Sequence, residues 1–369
     1  MALHPGRIAR IQKQLQQADL AALAVLPGPN MHYLTGLEFH LSERATLCFV
    51  PASGAALLMV PALEKTKAQS AGCELFTYTD ENGPLQAATA ALHALALRGA
   101  RLGIEGRRMR FLELDLLARA GLQAQPTDAD AVLATLRMCK DAGELQAMRA
   151  AIDVAERAML ATQPAIRPGI SERELASELT VQLLRAGADA SIPFSPIVAS
   201  GPNGANPHAF PTARTLQAGD FVTLDWGCTH ENYVADLTRT YALAGAKLQP
   251  QLEQAYAAVL AANTAGRAAA RPGTTGHAVD RAARAEIEAA GLGDYFIHRT
   301  GHGLGLEVHE EPDMKMGNHL LLEPGMTFTI EPGVYLPGIG GVRIEDNMVI
   351  TAAGAESLSS LARELVPLA

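Results

Sequence analysis

Four carboxylates and one imidazole carry the chemistry that can be read from this chain: Asp225, Asp236, Glu331, Glu345 and His302. Asp225 ends the alternating run Asp220-Phe-Val-Thr-Leu-Asp225, and Glu331 ends a similar run, Met326-Thr-Phe-Thr-Ile-Glu331. A second acid follows each, Asp236 after 11 residues and Glu345 after 14. Those lengths let a strand turn and return antiparallel, so all four acids can face one space. Four carboxylates so placed repel and raise one another's pKa values unless a cation sits among them, and a divalent metal is the simplest cation. Any one of these acids alone reads as a solvated residue at a strand end; the repeat makes the set a site.

The nitrogen ligand comes from His298-Arg-Thr-Gly-His-Gly-Leu-Gly-Leu-Glu-Val-His309, where glycines on both sides of His302 permit close backbone approach. The segment is neither H-E-x-x-H nor a dinucleotide fingerprint. Four carboxylates and an imidazole suit two hard or borderline cations, Mn²⁺ foremost, with Co²⁺, Fe²⁺ or Zn²⁺ able to substitute. Two such ions can share a hydroxide and polarise a carbonyl, which is hydrolytic chemistry.

The elements that must position these groups repeat. Arg167-Pro-Gly169 recurs as Arg271-Pro-Gly273, 104 residues on, and each precedes a helix ending near Ala-Gly, at 186–187 and 290–291. Leu216-Gln-Ala-Gly219 and Leu322-Glu-Pro-Gly325 then lead into the two acid-bearing strands, 106 residues apart at Asp225 and Glu331. This period is too long for a solenoid and predicts two αββ-type halves about a pseudo-two-fold axis, with the site where they meet. Ser171 and Glu174 form a capping box that opens one of the helices.

Residues 1–130 read as a smaller α/β domain, with a helix over 6–18, strands over 19–25, 46–51, 55–60, 74–79 and 101–105, and helices over 85–97 and 110–120. Residues 131–142 form a linking helix region and 143–369 the catalytic domain. The fold class is therefore α/β (α+β). A net charge of -9 and the lack of any Lys/Arg run argue against a nucleic-acid partner. No window is long and apolar enough for a membrane span and no signal peptide opens the chain, so a cytoplasmic location is expected. Cys48, Cys73, Cys139 and Cys228 are widely spaced, as reduced thiols would be.

With intervals of 11, 66, 29 and 14, the five residues resemble the ligand signature of the pita-bread metallopeptidases, and the segments 233–240, 298–310, 329–335 and 341–347 most resemble the proline-specific branch, prolidase and aminopeptidase P. The likeness covers residues 140–365, and the N-terminal domain is similar to the creatinase-type domain of that branch. By this resemblance Asp225 chelates one metal, His302 and Glu331 bind the other, and Asp236 and Glu345 bridge both. The resemblance also implies that Glu331 shuttles the proton of the attacking hydroxide. His208, His298 and His309 hold substrate and stabilise the tetrahedral intermediate, with Tyr335 and Arg343 in support and Thr238 either a donor behind the ligands or a buried strand residue. The resemblance further implies a homodimer and small peptide substrates with proline in second position.

The ligands do not separate an Xaa-Pro dipeptidase from an aminopeptidase acting on longer Xaa-Pro peptides. A dipeptidase needs a cation for the proline carboxylate. The polar loop Glu38-Phe-His-Leu-Ser-Glu-Arg44 offers Arg44, whose other reading is a solvated loop residue. The expectation adopted is the dipeptidase, with the aminopeptidase as alternative and a non-catalytic binding module as the reading from another class.

Overall fold

The computed structural model describes residues 3–368, and the chain divides into two compact units, Met1–Arg137 and Met138–Ala369. In the first, six strands form one mixed sheet in the order Glu74–Tyr78, Leu57–Pro61, Leu47–Pro51, Ala22–Val25, Arg101–Ile104, Gln125–Asp128. Ala22–Val25 is buried throughout; it runs antiparallel to Leu47–Pro51 and parallel to Arg101–Ile104. The strand starts later than the apolar pattern suggests because Asp19 has φ 54° and turns the chain out of helix Pro5–Gln17. Helix Pro29–Thr35 is not apparent in the sequence pattern: Pro-Gly-Pro reads as a turn, yet Pro29 starts the helix where a missing N–H costs nothing.

The second unit opens with helix Ala142–Thr162, capped reciprocally by Asp141 and Glu144, each backbone N–H lying 2.9 Å from the other's carboxylate. The linking helix region expected over 131–142 is thus helix Asp130–Arg137, which stops short of the separate helix Ala142–Thr162. The Ser171 box forms as the sequence predicts, with Glu174 N–H on Ser171 Oγ at 3.2 Å and Ser171 N–H on Glu174 Oε2 at 2.8 Å.

The duplication is written in matched backbone hydrogen bonds. Gly169 N–H donates to Leu216 O and Gly273 N–H to Leu322 O, each at 2.9 Å, and the bridges Ser171–Thr215 and Thr275–Leu321 correspond likewise. The first half pairs helices Ala142–Thr162 and Glu172–Ala186 with the hairpin Phe221–His230 and Tyr233–Leu243. The second pairs Pro250–Ala269 and Gly276–Ala289 with a five-stranded sheet whose adjacent strands include Gly301–Gly303, Thr327–Ile330 and Asp346–Thr351. Trp226, the sole tryptophan, is fully buried under the first helix and donates from Nε1 to Ala155 O at 3.0 Å.

Candidate metal and peptide site

Strand alternation aims the first pair of acids. Trp226 and Cys228 turn toward helix Ala142–Thr162, where the Cys228 thiol meets Ala151 O at 3.2 Å, so Asp225 projects from the opposite face. Across the hairpin Asp225 stands opposite Thr238 and Gly227 opposite Asp236, which makes Asp225 and Asp236 diagonal neighbours on one face. Asp225 lies inside strand Phe221–His230 rather than at its end, because Trp226 and Cys228 prolong the packing on the helix.

In the second half Glu331 does follow the strand end at Ile330. Ile330 pairs with Asp346, so the next step of that register sets Glu331 against Glu345. The longer spacing here is filled by a hairpin, Gly333–Leu336 with Gly340–Arg343, which delivers Tyr335 and Arg343 to the site. The register counterpart of Glu345 is therefore Thr238, not Asp236 as the spacing alone suggests. Thr238 and Glu345 also join the halves: Glu345 N–H donates to Thr238 O at 3.1 Å, and the Thr238 hydroxyl to Glu345 Oε2 at 2.7 Å.

His302 sits on the short strand Gly301–Gly303, between Glu310–Met314 and Thr327–Ile330. A Cβ at Gly301 would collide with the Thr329 carbonyl and one at Gly303 with Glu311, which is why His302 is flanked by glycine. Its Nδ1 lies 3.1 Å from Gly303 O, a carbonyl that can only accept. Nδ1 therefore carries the proton and Nε2 offers its lone pair, 3.6 Å from Asp236 Oδ2 and 3.2 Å from Glu331 Oε1.

Burial, followed by Glu345, Asp225 and Glu331, pushes the Asp236 carboxyl well above the usual carboxylate range, and burial with Glu331 and Asp225 does the same to Glu345. Burial raises Glu331 to about 7 against the downward pull of Arg343. Burial also drives His302 well below the usual imidazole value, so it is neutral. Asp236, His302 and Glu345 each offer a donor atom within 4.8 Å of the others. Asp225 Oδ1 is buried with no hydrogen-bond partner among the described residues. Crowded carboxylates, an imidazole lone pair and an orphaned oxygen are what a divalent cation relieves, so the donor set fits such ions.

These groups line a cavity of about 570 Å³, and His208, His298, His309, Tyr335 and Arg343 border it as well. His298 has both nitrogens engaged. Nδ1 donates to Arg299 O at 2.7 Å, and Nε2 lies 2.8 Å from the Tyr335 hydroxyl, which must then donate. Burial, aided by Arg343, holds this imidazole down at about 3. His309 stands edge-on to His302, ring centres 4.1 Å apart, and burial lowers its pKa too. His208 lies exposed in the loop bordering the cavity. Arg343 is buried and donates to Asp225 Oδ2 at 2.5 Å, Tyr335 OH at 2.8 Å and Thr238 Oγ at 3.1 Å.

Arg44 belongs to the first unit, where Asp80 accepts from Nε at 2.8 Å and Nη2 at 2.9 Å, and Glu43 from Nη1 at 2.6 Å. It is not among the cavity-lining residues. Sequence reasoning passed over Arg299, which does line the cavity, and over Asn347 and Arg239, which hold the acid-bearing strands. Asn347 Oδ1 accepts from Asp236 N–H at 3.2 Å, and Arg239 donates to Glu345 O at 2.6 Å and Asp346 Oδ1 at 2.9 Å. Their signal was adjacency: Arg299 follows His298, Arg239 follows Thr238, and Asn347 is two residues beyond Glu345.

Comparison with known proteins agrees with this geometry. The chain is similar to the crystal structure of dipeptidase PepE from Mycobacterium ulcerans at 37% identity and TM-score 0.91, covering 99% of this chain and 98% of that one. It is similar to prolidase from Thermococcus sibiricus at 33% and 0.93 over 100% of both chains, and to a dipeptidase from Pyrococcus horikoshii OT3 at 36% and 0.93 over 98% and 100%. The duplicated second unit is a pita-bread fold, as expected from its sequence repeat. Residues 7–139 match the creatinase/prolidase N-terminal domain and residues 146–352 match metallopeptidase family M24. With its carboxylates and imidazole gathered in one cavity, the chain belongs to metallopeptidase family M24, hydrolases of peptide bonds that use divalent metal.

Proposed function

We propose that this enzyme hydrolyses Xaa-Pro dipeptides with two divalent ions, Mn²⁺ foremost, held by Asp225, Asp236, His302, Glu331 and Glu345. The observation that carries the reading is the convergence of these five residues on one cavity. When bound, the ions would polarise the scissile carbonyl and lower the pKa of a water nucleophile. Glu331, which lines the cavity 3.2 Å from His302 Nε2, is placed to take up and return the proton of the nucleophile. His309, neutral and facing the cavity beside His302, is placed to donate to the oxyanion, and the exposed His208 to hold substrate at the mouth. His298 acts through Tyr335, whose hydroxyl it orients against Arg343.

Phe194, Pro196, Ile197, Pro211 and Val308 give the cavity apolar walls that suit a pyrrolidine ring. The dipeptidase and prolidase names of similar structures support the same substrate class. No disulfide joins Cys48, Cys73, Cys139 or Cys228 among the described residues, which agrees with a cytoplasmic setting, and a homodimer completes the reading.

The test is hydrolysis of Ala-Pro, compared with Ala-Ala and Ala-Pro-Ala. Activity on Ala-Pro should vanish with chelator and return with Mn²⁺, and Ala-Pro should be the best of the three. Preference for Ala-Pro-Ala would make the enzyme an aminopeptidase, and no turnover of Ala-Pro with any divalent metal would overturn the proposal.

A further inference from the structure

A free dipeptide differs from the start of a longer chain by one group, a carboxylate roughly 3.5 Å, one residue, beyond the bond that breaks. A site confined to dipeptides must give that charge a partner, because a buried carboxylate without one is costly. The cavity is bordered by two arginines, Arg299 and Arg343. Arg343 is already committed, donating to Asp225, Tyr335, Thr238 and the Pro207 carbonyl.

Arg299 is different. Its Nη1 donates to Asp313 Oδ1 at 2.6 Å, while no described residue accepts from its Nε or Nη2. Those two nitrogens form one edge of the guanidinium, the edge that binds a carboxylate with two parallel hydrogen bonds. Asp313 does not neutralise it alone, since Lys315 Nζ lies 2.5 Å from the other Asp313 oxygen and leaves the trio with a net positive charge. Asp313 is itself fixed: Asn318 donates to its carbonyl at 2.6 Å and its side chain is only 11% exposed. The guanidinium is thereby held in place before substrate arrives, which lowers the entropic cost of binding. Arg44, the other candidate for this role, has the corresponding edge filled by Asp80.

We propose that Arg299, steadied by Asp313, receives the free carboxylate of the substrate and so confines the site to dipeptides. The proposal rests on the Xaa-Pro reading above and names what sets its length limit.

The experiment compares Ala-Pro, Ala-Pro-amide and Ala-Pro-Ala on Mn²⁺-loaded wild type, Arg299→Gln and Arg299→Lys. Metal content and far-UV circular dichroism are recorded for each. Wild type should prefer Ala-Pro over its amide by roughly 10–100-fold in kcat/KM, the worth of a charge-assisted hydrogen bond. In Arg299→Gln that ratio should fall toward one, chiefly through a higher KM for Ala-Pro, and Arg299→Lys should recover part of it. Equal losses on Ala-Pro and the amide in Arg299→Gln, or a wild type indifferent to amidation, would overturn this proposal and leave the Xaa-Pro reading standing. A wild type inactive on all three would overturn that reading, and this proposal with it.

Discussion

Arg343 holds one oxygen of Asp225 and leaves the other alone: Nη2 donates to Oδ2 at 2.5 Å, while Oδ1 is buried without a hydrogen-bond partner among the described residues. One oxygen fixes the carboxylate's orientation and the second is left for a metal ion. Arg343→Met should therefore weaken metal binding by roughly 10–100-fold, the usual cost of losing a group that orients a ligand. Metal-titration calorimetry measures this. Undiminished affinity with slower turnover would assign Arg343 to the substrate instead.

Thr238 makes a matching test on the opposite strand. Its oxygen accepts from Arg343 Nε at 3.1 Å and its hydroxyl donates to Glu345 Oε2 at 2.7 Å, all out of solvent. Thr238→Val should cost about 10–100-fold in metal affinity or activity, and Thr238→Ser should restore most of it. A Val variant that keeps wild-type affinity and activity while the Ser variant loses them would mean that only the volume of Thr238 matters.

Removing a proposed ligand should move stability and activity in opposite directions. At neutral pH the metal-free fold confines Asp236 among three other carboxyls, and Asp236→Asn keeps the shape without the charge. The metal-free variant should be more stable than metal-free wild type by on the order of 1–3 kcal/mol. Its activity and its stabilisation by Mn²⁺ should both be lost. Thermal melts with chelator and with Mn²⁺ check this, and a less stable metal-free Asn variant would contradict it.

The dependence on pH follows from the same crowding. A carboxyl whose folded pKa exceeds its unfolded value keeps a proton that the unfolded chain releases. Its contribution is full below the unfolded value of 4.5 for Glu331 and is lost as pH rises through the folded value of about 7. His298, pushed from 6.5 down to about 3, acts in the opposite sense, costing stability as pH falls below 6.5. Above pH 6.5 the carboxyls prevail. The melting temperature of chelator-treated protein should fall between pH 6.5 and 8, and saturating Mn²⁺ should remove the fall, since metal takes the place of the proton. A metal-free melting temperature that climbs across this window would show that the carboxyls do not share a pocket.

The repeat and the five clustered residues were legible in the sequence because they are local patterns: alternating strands ending in acids, Arg-Pro-Gly turns, glycines beside His302. Long-range packing supplied what the pattern omitted. Asp225 is inside its strand because Trp226 and Cys228 continue the contact with the first helix. His298 is engaged at both nitrogens because Tyr335 arrives from 37 residues away. The pairing of Arg299 with Asp313 depends on the strand Glu310–Met314 lying against Gly301–Gly303, which no spacing announces.

The contact between Thr238 and Glu345 also bears on descent. These residues hold the same register place in the two halves, each opposite the carboxylate of its own strand pair, and they meet across the join. Were both acidic, two carboxylates would face each other at the seam; an alcohol on one side makes a hydrogen bond there instead. The twofold symmetry is broken at this contact. An ancestral half, lacking its complement, would have gathered such a ligand set only by pairing with a second copy of itself.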